Sequence, residues 1–163
     1  MANDLLSKMP IVFEPKRANR WVMRFPSDLG ISEWMLESAN RPNMEINSVE
    51  IPLLNTSTYV AGRYKWNDIQ ITFRDPITPS ASQALMEWIR LISESVTGRM
   101  GYAAGYKRDI ELEMLDPNGV VIEKWILKNA WIKNYNGCAL KYNDDSLATV
   151  TTNLVMDYAI LAY

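Results

Sequence analysis

Four features of this sequence could do chemistry. They are a row of carboxylates, one thiol and two short loops. Asp109, Glu111 and Glu113 occupy alternate positions, so in a strand their carboxylates share one face. Paired carboxylates hydrolyse glycosidic bonds when they lie about 5 to 10 Å apart across a substrate cleft. Neighbours on an open sheet face form no cleft, and we interpret the row as a solvated acidic surface.

The remaining candidates lack the partners that their chemistry needs. Residues 98–105 are rich in glycine, as phosphate loops are, but no Gly-Lys-Ser/Thr follows, and a strand rather than a helix comes next. Asp144-Asp145 lacks the spaced oxygen ligands of a calcium loop, and Cys138 has no histidine or flanking basic residue to activate its thiol. We therefore predict a linker, a turn and a packing residue, with no metal, cofactor or catalytic residue.

Composition excludes several classes of function. The chain has 163 residues, a net charge of -2 and no histidine. Without histidine it cannot build a Ser-His-Asp triad, a Cys-His pair or a His-ligated zinc site. Its pI near 5.2 is opposite to that of proteins that grip nucleic-acid phosphates. We predict one domain, spanning residues 1–163, that is not an enzyme and binds no nucleic acid tightly.

The sequence carries no signal for membrane insertion or export. No run of about eighteen apolar residues is present, and Asp4 and Pro10 interrupt the segment where a secretion signal needs an apolar centre. The single cysteine makes no internal disulfide, so the fold needs no oxidising compartment. We expect synthesis in the cytoplasm.

The elements that would position these side chains are mostly strands. Apolar residues take every second position in 20–25, which predicts a strand, and further strands are predicted at 31–38 and 43–51. Residues 1–18 are predicted to form an N-terminal arm. Residues 51–62, which begin beside Pro52, are predicted to form a long extended loop.

The clearest strand follows that loop. Apolar and polar residues alternate strictly from Asp68 to Arg74. Gly62 marks a bend or bulge, so residues 59–74 are predicted to form one long kinked ribbon. A tight hairpin at Asn67-Asp68 is the alternative.

One helix is predicted, over residues 80–96. Ser80 or Thr78 can cap its first turn, and apolar residues recur at spacings of three and four from Ala81 onwards. This apolar stripe would cover a sheet. Gly98 is placed to end the helix.

The C-terminal third predicts more strands. Asp116-Pro117-Asn118-Gly119 has the turn residues of a hairpin that joins 107–115 to 120–128. A second turn is predicted at Asn136-Gly137, between strands at 129–135 and 138–142, and a long final strand at 147–160. These patterns predict a mainly β fold with many strands and one helix.

Aromatic residues exceed what the core of such a domain needs. The chain has six tryptophans and eight tyrosines. Tyr59, Tyr64 and Trp66 lie near the long loop, and we expect them to be buried against a protein partner. Carbohydrate stacking is the alternative.

This order of elements resembles the tail tube proteins of contractile-tailed bacteriophages, which are related to the tube proteins of type VI secretion and other contractile injection systems. The resemblance covers roughly residues 19–160. It rests on the following stretches: Asn19-Arg20 before an apolar strand, Val60-Ala61-Gly62-Arg63, the Asn67–Phe73 strand, the helix with Trp88, Leu127-Lys128-Asn129-Ala130-Trp131-Ile132, and Thr149–Tyr158.

The resemblance implies a structural virion protein that assembles itself into hexameric rings. Each subunit would fold as two packed antiparallel sheets, in a sandwich or barrel, with one flanking helix. The sheets of the six subunits would join into one β-barrel, and the rings would stack into the inner tail tube through which DNA is ejected into the host. It implies the tail sheath, a baseplate tube-initiator and a tape measure protein as partners. DNA would pass without specific binding, and the protein would be assembled in the host cytoplasm.

The resemblance also suggests roles for particular residues. Residues 2–13 of the arm and the loop 51–62 would contact a stacked ring, with these candidate inter-subunit residues: Leu53, Leu54, Tyr59, Val60, Arg63, Tyr64 and Trp66. Asp109, Glu111 and Glu113 would face the lumen, where their charge repels DNA. Asp68, Gln70, Thr72 and Arg74 would face the lumen or a neighbouring subunit.

Three alternatives remain open. The same fold could cap a tube as a baseplate initiator or tail terminator, or it could form the tube of an injection system. A monomeric β-sandwich that binds a ligand through exposed aromatic residues is the alternative from another class.

Overall fold

The computed structural model describes residues 7–10 and 12–163. Ten strands carry the fold: β1 (Trp21–Arg24), β2 (Leu36–Ala39), β3 (Met44–Leu53), β4 (Thr56–Trp66), β5 (Ile69–Arg74), β6 (Arg108–Leu115), β7 (Val121–Ile132), β8 (Asn136–Gly137), β9 (Thr149–Val155) and β10 (Tyr158–Leu161). The helices are α1 (Ala81–Ile92) and the single turn α2 (Ala103–Tyr106), with short 3-10 turns at Ser27–Leu29 and Glu33–Met35. No helix among the described residues is long and apolar enough to cross a membrane.

Eight strands form one antiparallel sheet, and β3 and β4 form a separate hairpin. The main path runs β1-β6-β7-β9-β5-β2, with β10 paired to β7 and β8 paired to β9. The long strand β7 belongs to two halves of this sheet. Its first part pairs with β6 and β10, and its last residues, Trp131 and Ile132, pair with β9. The predicted mainly β, antiparallel fold is confirmed.

The two halves diverge where β7 bends. Asn129 has a φ of 55°, a left-handed conformation that asparagine adopts more readily than most residues. Two carboxylates hold the bend. Asp109 Oδ1 accepts the Asn129 backbone N–H at 3.1 Å, and Asp157 Oδ2 accepts its side-chain amide at 2.8 Å. Asp157 also separates β9 from β10, so the single strand predicted at 147–160 is wrong.

The core lies between the sheet halves and α1. The alternation predicted for β5 is observed, with Ile69, Ile71 and Phe73 buried. Trp88 of α1 is 1% exposed, packs edge-on against Phe25 and donates its indole N–H to the Tyr106 carbonyl at 2.8 Å. The helix therefore covers the sheet, as its apolar stripe predicts.

The boundaries of that helix differ from the prediction at one end. The Ser80 Oγ accepts the Gln83 N–H at 3.3 Å and caps the first turn, but α1 ends at Ile92 and not at residue 96. The chain then turns back, because Ser93 forms a β-bridge to Met100. Gly98, with a φ of 69°, lies in this turn and does not end the helix.

Of two other predicted strands, 31–38 is a strand only in its last part and 138–142 is wrong. Within 31–38 a 3-10 turn precedes β2, which brings both Met35 and Leu36 into the core. Residues 138–142 form no strand, and Asn136-Gly137, predicted to be a turn, is the short strand β8. The hairpin around Asp116–Gly119 is confirmed: Gly119 has a φ of 84°, and Asp116 Oδ1 accepts two backbone N–H groups at 2.8 Å.

Candidate assembly interface

The segment predicted to be a loop at 51–62 is the outer part of a β-hairpin. Strands β3 and β4 pair from Met44↔Trp66 to Leu53↔Thr56, with Leu54 and Asn55 as the two-residue turn. The loop prediction is therefore wrong. Asn67 and Asp68 separate β4 from β5, so residues 59–74 are not one ribbon; β4 pairs with β3, whereas β5 pairs with β2 and β9.

The hairpin continues from one end of the main sheet. The Asn40 N–H donates to Gln70 O at 3.2 Å, and the Asn67 N–H donates to Asn43 O at 2.9 Å. These bonds bridge the short interruption between the β2–β5 pair and the β3–β4 pair. The hairpin thus extends the sheet beyond Ile69.

Gly62 sits at a bulge in β4, as predicted. The register shifts between Ile46 and Ser48, which leaves one extra residue on β4. A Cβ at Gly62 would lie 3.0 Å from Asn47 O and 3.0 Å from Val49 Cγ2. Only glycine therefore fits this approach without movement of a neighbour.

Both faces of the hairpin carry exposed apolar side chains. All ten residues of β3 are exposed. The register places Met44, Ile46 and Tyr64 on one face near the base. Val49, Ile51, Leu53 and Val60 lie on the opposite face nearer the tip. A two-stranded hairpin is marginally stable in water by itself, and an apolar surface of this kind marks a protein contact.

The candidate contact residues fall into two groups. Leu53, Leu54, Tyr59, Val60, Arg63 and Tyr64 are all exposed on the hairpin. Trp66 is half-buried and packs against the core of its own chain, so less of its side chain is available for contact with another subunit. Sequence reasoning missed four further contact candidates: Met44, Ile46, Val49 and Ile51. Two features of the sequence could have indicated them, namely apolar residues on both faces of the strand and the absence of charge from residue 51 to residue 62.

The turn residue Leu54 is unusual in conformation as well as exposure. It has a φ of 35°, and its side chain is 109% exposed. Glycine is the preferred residue where the first position of a two-residue hairpin turn has a positive φ. A leucine in this conformation costs free energy in the isolated chain, which is an indication that its side chain has a use elsewhere.

The predicted acidic row is present on β6, but it is not a bare acidic surface. Lys128 Nζ lies 2.7 Å from Asp109 Oδ2, and Lys124 Nζ lies 2.9 Å from Glu111 Oε2. Glu113 is only 5% exposed, between Arg24 Nε at 3.1 Å and Lys124 Nζ at 3.5 Å. The interpretation as a solvated acidic face is corrected to a charge-paired face across β1, β6 and β7.

The ion pairs shift the titration of their members. The hydrogen bond from Lys128 holds the pKa of Asp109 below its ordinary value, and the same bond raises the pKa of Lys128. A hydrogen bond to Glu111 raises the pKa of Lys124. Asp109, Lys124 and Lys128 therefore stay charged at neutral pH, and the lowered pKa of Asp109 is the opposite of what an acid catalyst needs.

A second cluster joins the N-terminal segment to the base of the hairpin. The buried carboxylate of Glu123 accepts hydrogen bonds from Lys16 Nζ and, at 2.6 Å, from Trp125 Nε1. Arg41 belongs to the connection before β3, and its Nη1 lies 3.9 Å from Glu123 Oε1. The bond from Lys16 is the main reason why the pKa of Glu123 is lowered. Residues 1–6 and 11 of the predicted arm lie outside the described residues.

The other sequence candidates lie apart from one another. Gly101 passes so close to the Leu91 carbonyl that a Cβ there would collide with it, which gives a packing reason for one glycine of 98–105. Asp144 ends a turn, where its carboxylate accepts the Ser146 N–H at 3.0 Å and its pKa is lowered by that bond. Cys138 is exposed rather than packed, so that prediction is wrong. No cluster of three potential metal ligands occurs among residues 7–10 and 12–163.

Comparison with known sequences gives two matches. The family model described as T4-like virus tail tube protein gp19 matches residues 55–160, more than half of the chain. The tail tube protein of Serratia phage KSP90 is 24% identical over 128 residues, a region that covers 73% of this chain and 72% of that protein. The family-model match includes strand β4 of the hairpin.

Solved structures share the fold. The anti-feeding prophage cap, a tube-terminating cap, superposes with a TM-score of 0.74 at 16% identity and covers 95% of each chain. The sheath/tube terminator of the extracellular contractile injection system PVC, in its extended state, superposes with a TM-score of 0.67 at 16% identity, covering 93% of this chain and 99% of that one. At these identities the likeness concerns the fold alone.

Proposed function

The chain belongs to the family of T4-like virus tail tube protein gp19, and from that premise we propose that it forms hexameric rings that stack into the inner tube of a contractile tail. The observation that carries the proposal is the β3–β4 hairpin, whose exposed apolar faces need a partner. In a tube built from one protein, that partner is another copy of the chain. The hairpin, including Leu53, Leu54, Tyr59 and Val60, then contacts a stacked ring.

Ring closure would use the free strand edges. Among the described strands, β1 and β2 each pair on one side only, and each strand of the hairpin has one unpaired edge. Such edges are aggregation hazards in a monomer. A ring in which each copy pairs with the next converts them into one continuous barrel.

Two outer sheet faces are candidates for the lumen. The face with Asp109, Glu111 and Glu113 presents Lys124 and Lys128 beside them, and these lysines could exchange carboxylate partners for DNA phosphates. The other half of the sheet presents a mostly polar face that includes Gln70, Thr72, Thr151 and Asn153, with the exposed Arg74 at one end opposite Thr149. We therefore move the lumen proposal from the acidic row to this second face, whose centre around Thr72 and Thr151 is uncharged and whose one cation from β5, Arg74, lies at the end of the strand.

This lumen assignment has a direct test. Thr151→Lys should place a ring of cations in the lumen and slow DNA ejection, whereas Glu111→Lys should leave the ejection rate unchanged. Ejection would be followed by DNA release from particles in vitro, with tube length checked by electron microscopy. The opposite ranking of the two variants would return the lumen to the face of the acidic row.

The role in the tube implies further partners. A tail sheath outside the tube, a baseplate tube-initiator and a tape measure protein are the proteins that such a tube contacts. A baseplate initiator, a tail terminator or the tube of an injection system is the second candidate, favoured by the shared fold with two tube terminators. A repeating subunit forms tubes of many rings, whereas a terminator forms single rings that bind a tube end.

Purified protein tests the proposal. Negative-stain imaging and light scattering should show rings and tubes, and deletion of Leu53–Thr58 should leave a folded protein that no longer polymerises. Val60→Asp should also abolish tubes, and its matched control is Val120→Asp, which changes an exposed valine in the β6–β7 turn. A wild-type protein that stays monomeric under all assembly conditions would exclude self-assembly and favour a ligand-binding module.

A further inference from the structure

Residues 138–149 form a surface loop, here called the 138–149 loop, with closely spaced ends. The Cys138 N–H donates to Thr149 O at 3.1 Å, and the Asp75 N–H donates to Ala148 O at 3.0 Å. The loop lines a cavity of about 520 Å³. That volume lies within the range of binding pockets, which is about 300 to 1,000 Å³.

The apolar side chains of this loop do not pack inside it. Compact surface loops with closely spaced ends are normally filled by their own side chains. Here Leu140, Tyr142 and Leu147 are each at least 77% exposed. The loop is held open by its polar groups instead, because Asp144 accepts the Ser146 N–H and donates its own N–H to Lys141 O. Its apolar rim therefore marks a contact surface.

The loop and the hairpin lie at opposite ends of the same strand pair. In the β5–β9 register, Ile69 faces Leu154 and Arg74 faces Thr149. The hairpin leaves the sheet beyond Ile69, and the 138–149 loop begins beyond Arg74. At about 3.4 Å per residue, roughly 17 Å of strand separates the two positions.

We propose that the 138–149 loop receives the tip of the β3–β4 hairpin from a second copy of this chain in the next ring. The tip is convex and apolar, with Leu53 and Leu54, and residues 51–62 carry no charge that the loop would have to pair. The loop is concave and has an apolar rim. This inference rests on the proposed self-assembly and names the surface that accepts the hairpin.

The hairpin tip and the 138–149 loop lie at opposite ends of the same strand pair, so the tip of a second copy is the occupant that fits the loop. Each copy supplies one tip and one loop, so the contact is heterologous and leaves a free tip at one end of the stack and a free loop at the other. A different protein that filled the loop would stop growth at that end. A small ligand in the cavity would leave the tip without a surface to bind.

The native Cys138 provides the test, because it is exposed at the base of the loop. Leu54→Cys should give, in assembled tubes under mild oxidation, a ladder of disulfide-linked oligomers on a non-reducing gel. The ladder extends beyond dimers because every copy carries both cysteines. It should disappear in Leu54→Cys with Cys138→Ser, and Val96→Cys, at another highly exposed site, should give none.

The outcomes separate this inference from the proposed function. Tubes of Leu54→Cys that give no more ladder than Val96→Cys overturn the inference and leave tube formation intact. Absence of rings and tubes from the wild type overturns the proposed function itself. If Leu54→Cys does not assemble, Asn55→Cys tests the same turn with Leu54 retained.

A mixing experiment tests the polarity of the contact. Leu54→Asp and Leu147→Asp should each yield single rings, since one lacks a working tip and the other a working loop. Mixing the preformed rings should produce stacked pairs and nothing longer, because only one combination of surfaces remains. Mixed rings that stay single, or that grow into tubes, contradict the pairing of tip and loop.

Discussion

Leu54→Gly is the substitution that most directly separates the stability of the hairpin from its role in assembly. In the monomer, the leucine occupies a positive-φ turn position at a cost of about 1 to 2 kcal/mol. Glycine removes that cost and loses about 0.5 to 1 kcal/mol through the greater freedom of the unfolded chain. The hairpin of the dispersed variant should therefore be as stable as in the wild type or slightly more stable.

Assembly should respond in the opposite direction. Burial of a fully exposed leucine side chain contributes about 1.5 to 3 kcal/mol per contact. Each 1.4 kcal/mol is roughly a tenfold change in an equilibrium constant. If the Leu54 side chain is buried between stacked rings, Leu54→Gly should raise the critical concentration for polymerisation by at least about tenfold, and by more where six contacts per ring act together.

Two measurements on the same protein separate the stability of the hairpin from its contribution to assembly. Amide hydrogen exchange of residues 44–66 in dispersed protein reports hairpin stability, and sedimentation of polymer against total concentration reports the critical concentration. Asn55→Gly is the control, because it changes the same turn but keeps the leucine. A Leu54→Gly protein that polymerises at the wild-type critical concentration would refute burial of this side chain in the tube.

Three further predictions concern the frame that holds the hairpin. Trp88→Phe keeps the buried ring but loses the indole donation to a backbone carbonyl, and should reduce the free energy of unfolding in urea by about 1 to 3 kcal/mol. Glu123→Gln should cost about 1 kcal/mol at pH 7 and increase cleavage near Lys16 in limited proteolysis. Because the folded pKa of Glu123 lies below its ordinary 4.5, the carboxylate contributes fully above that pH, and the difference from the glutamine variant should vanish as the pH falls through the lower folded value. Gly62→Val should bring a Cβ against Asn47 O, distort the bulge at a cost of about 1 to 3 kcal/mol and reduce tube yield, while the melting temperature of the main sheet stays unchanged.

Elements with a local chemical signal were predictable from the sequence. The β6–β7 hairpin follows from Asp116 and Gly119, whose turn geometry is local. Strand β5 follows from strict alternation, because one face packs on the core and the other does not. Helix α1 follows from its apolar stripe and the Ser80 cap. In each case neighbouring residues contain the whole physical reason.

The charge-paired face was not predictable in the same way. The spacing of Asp109, Glu111 and Glu113 along β6 does place them near one face, but their cations come from strands elsewhere in the sequence. Glu113 is buried because Arg24 of β1 and Lys124 of β7 flank it. That arrangement depends on the antiparallel register of three strands, and register is set by the whole sheet.

The hairpin was not predicted because its apolar residues change face along β3 and the chain itself buries none of the residues of that strand. A strand exposed on one side alternates between apolar and polar residues, whereas a strand covered on both sides carries apolar residues on both faces. Strand β3 combines the two patterns: apolar residues lie on both faces, Ile46 on one and Val49 and Ile51 on the other, but each face also carries a glutamate, and every residue is exposed in the monomer. Such a strand fits the proposed tube, in which neighbouring subunits would cover both faces. The same proposal accounts for the strained Leu54: its conformation is unfavourable for the free chain, and burial of its side chain against another subunit would offset that cost.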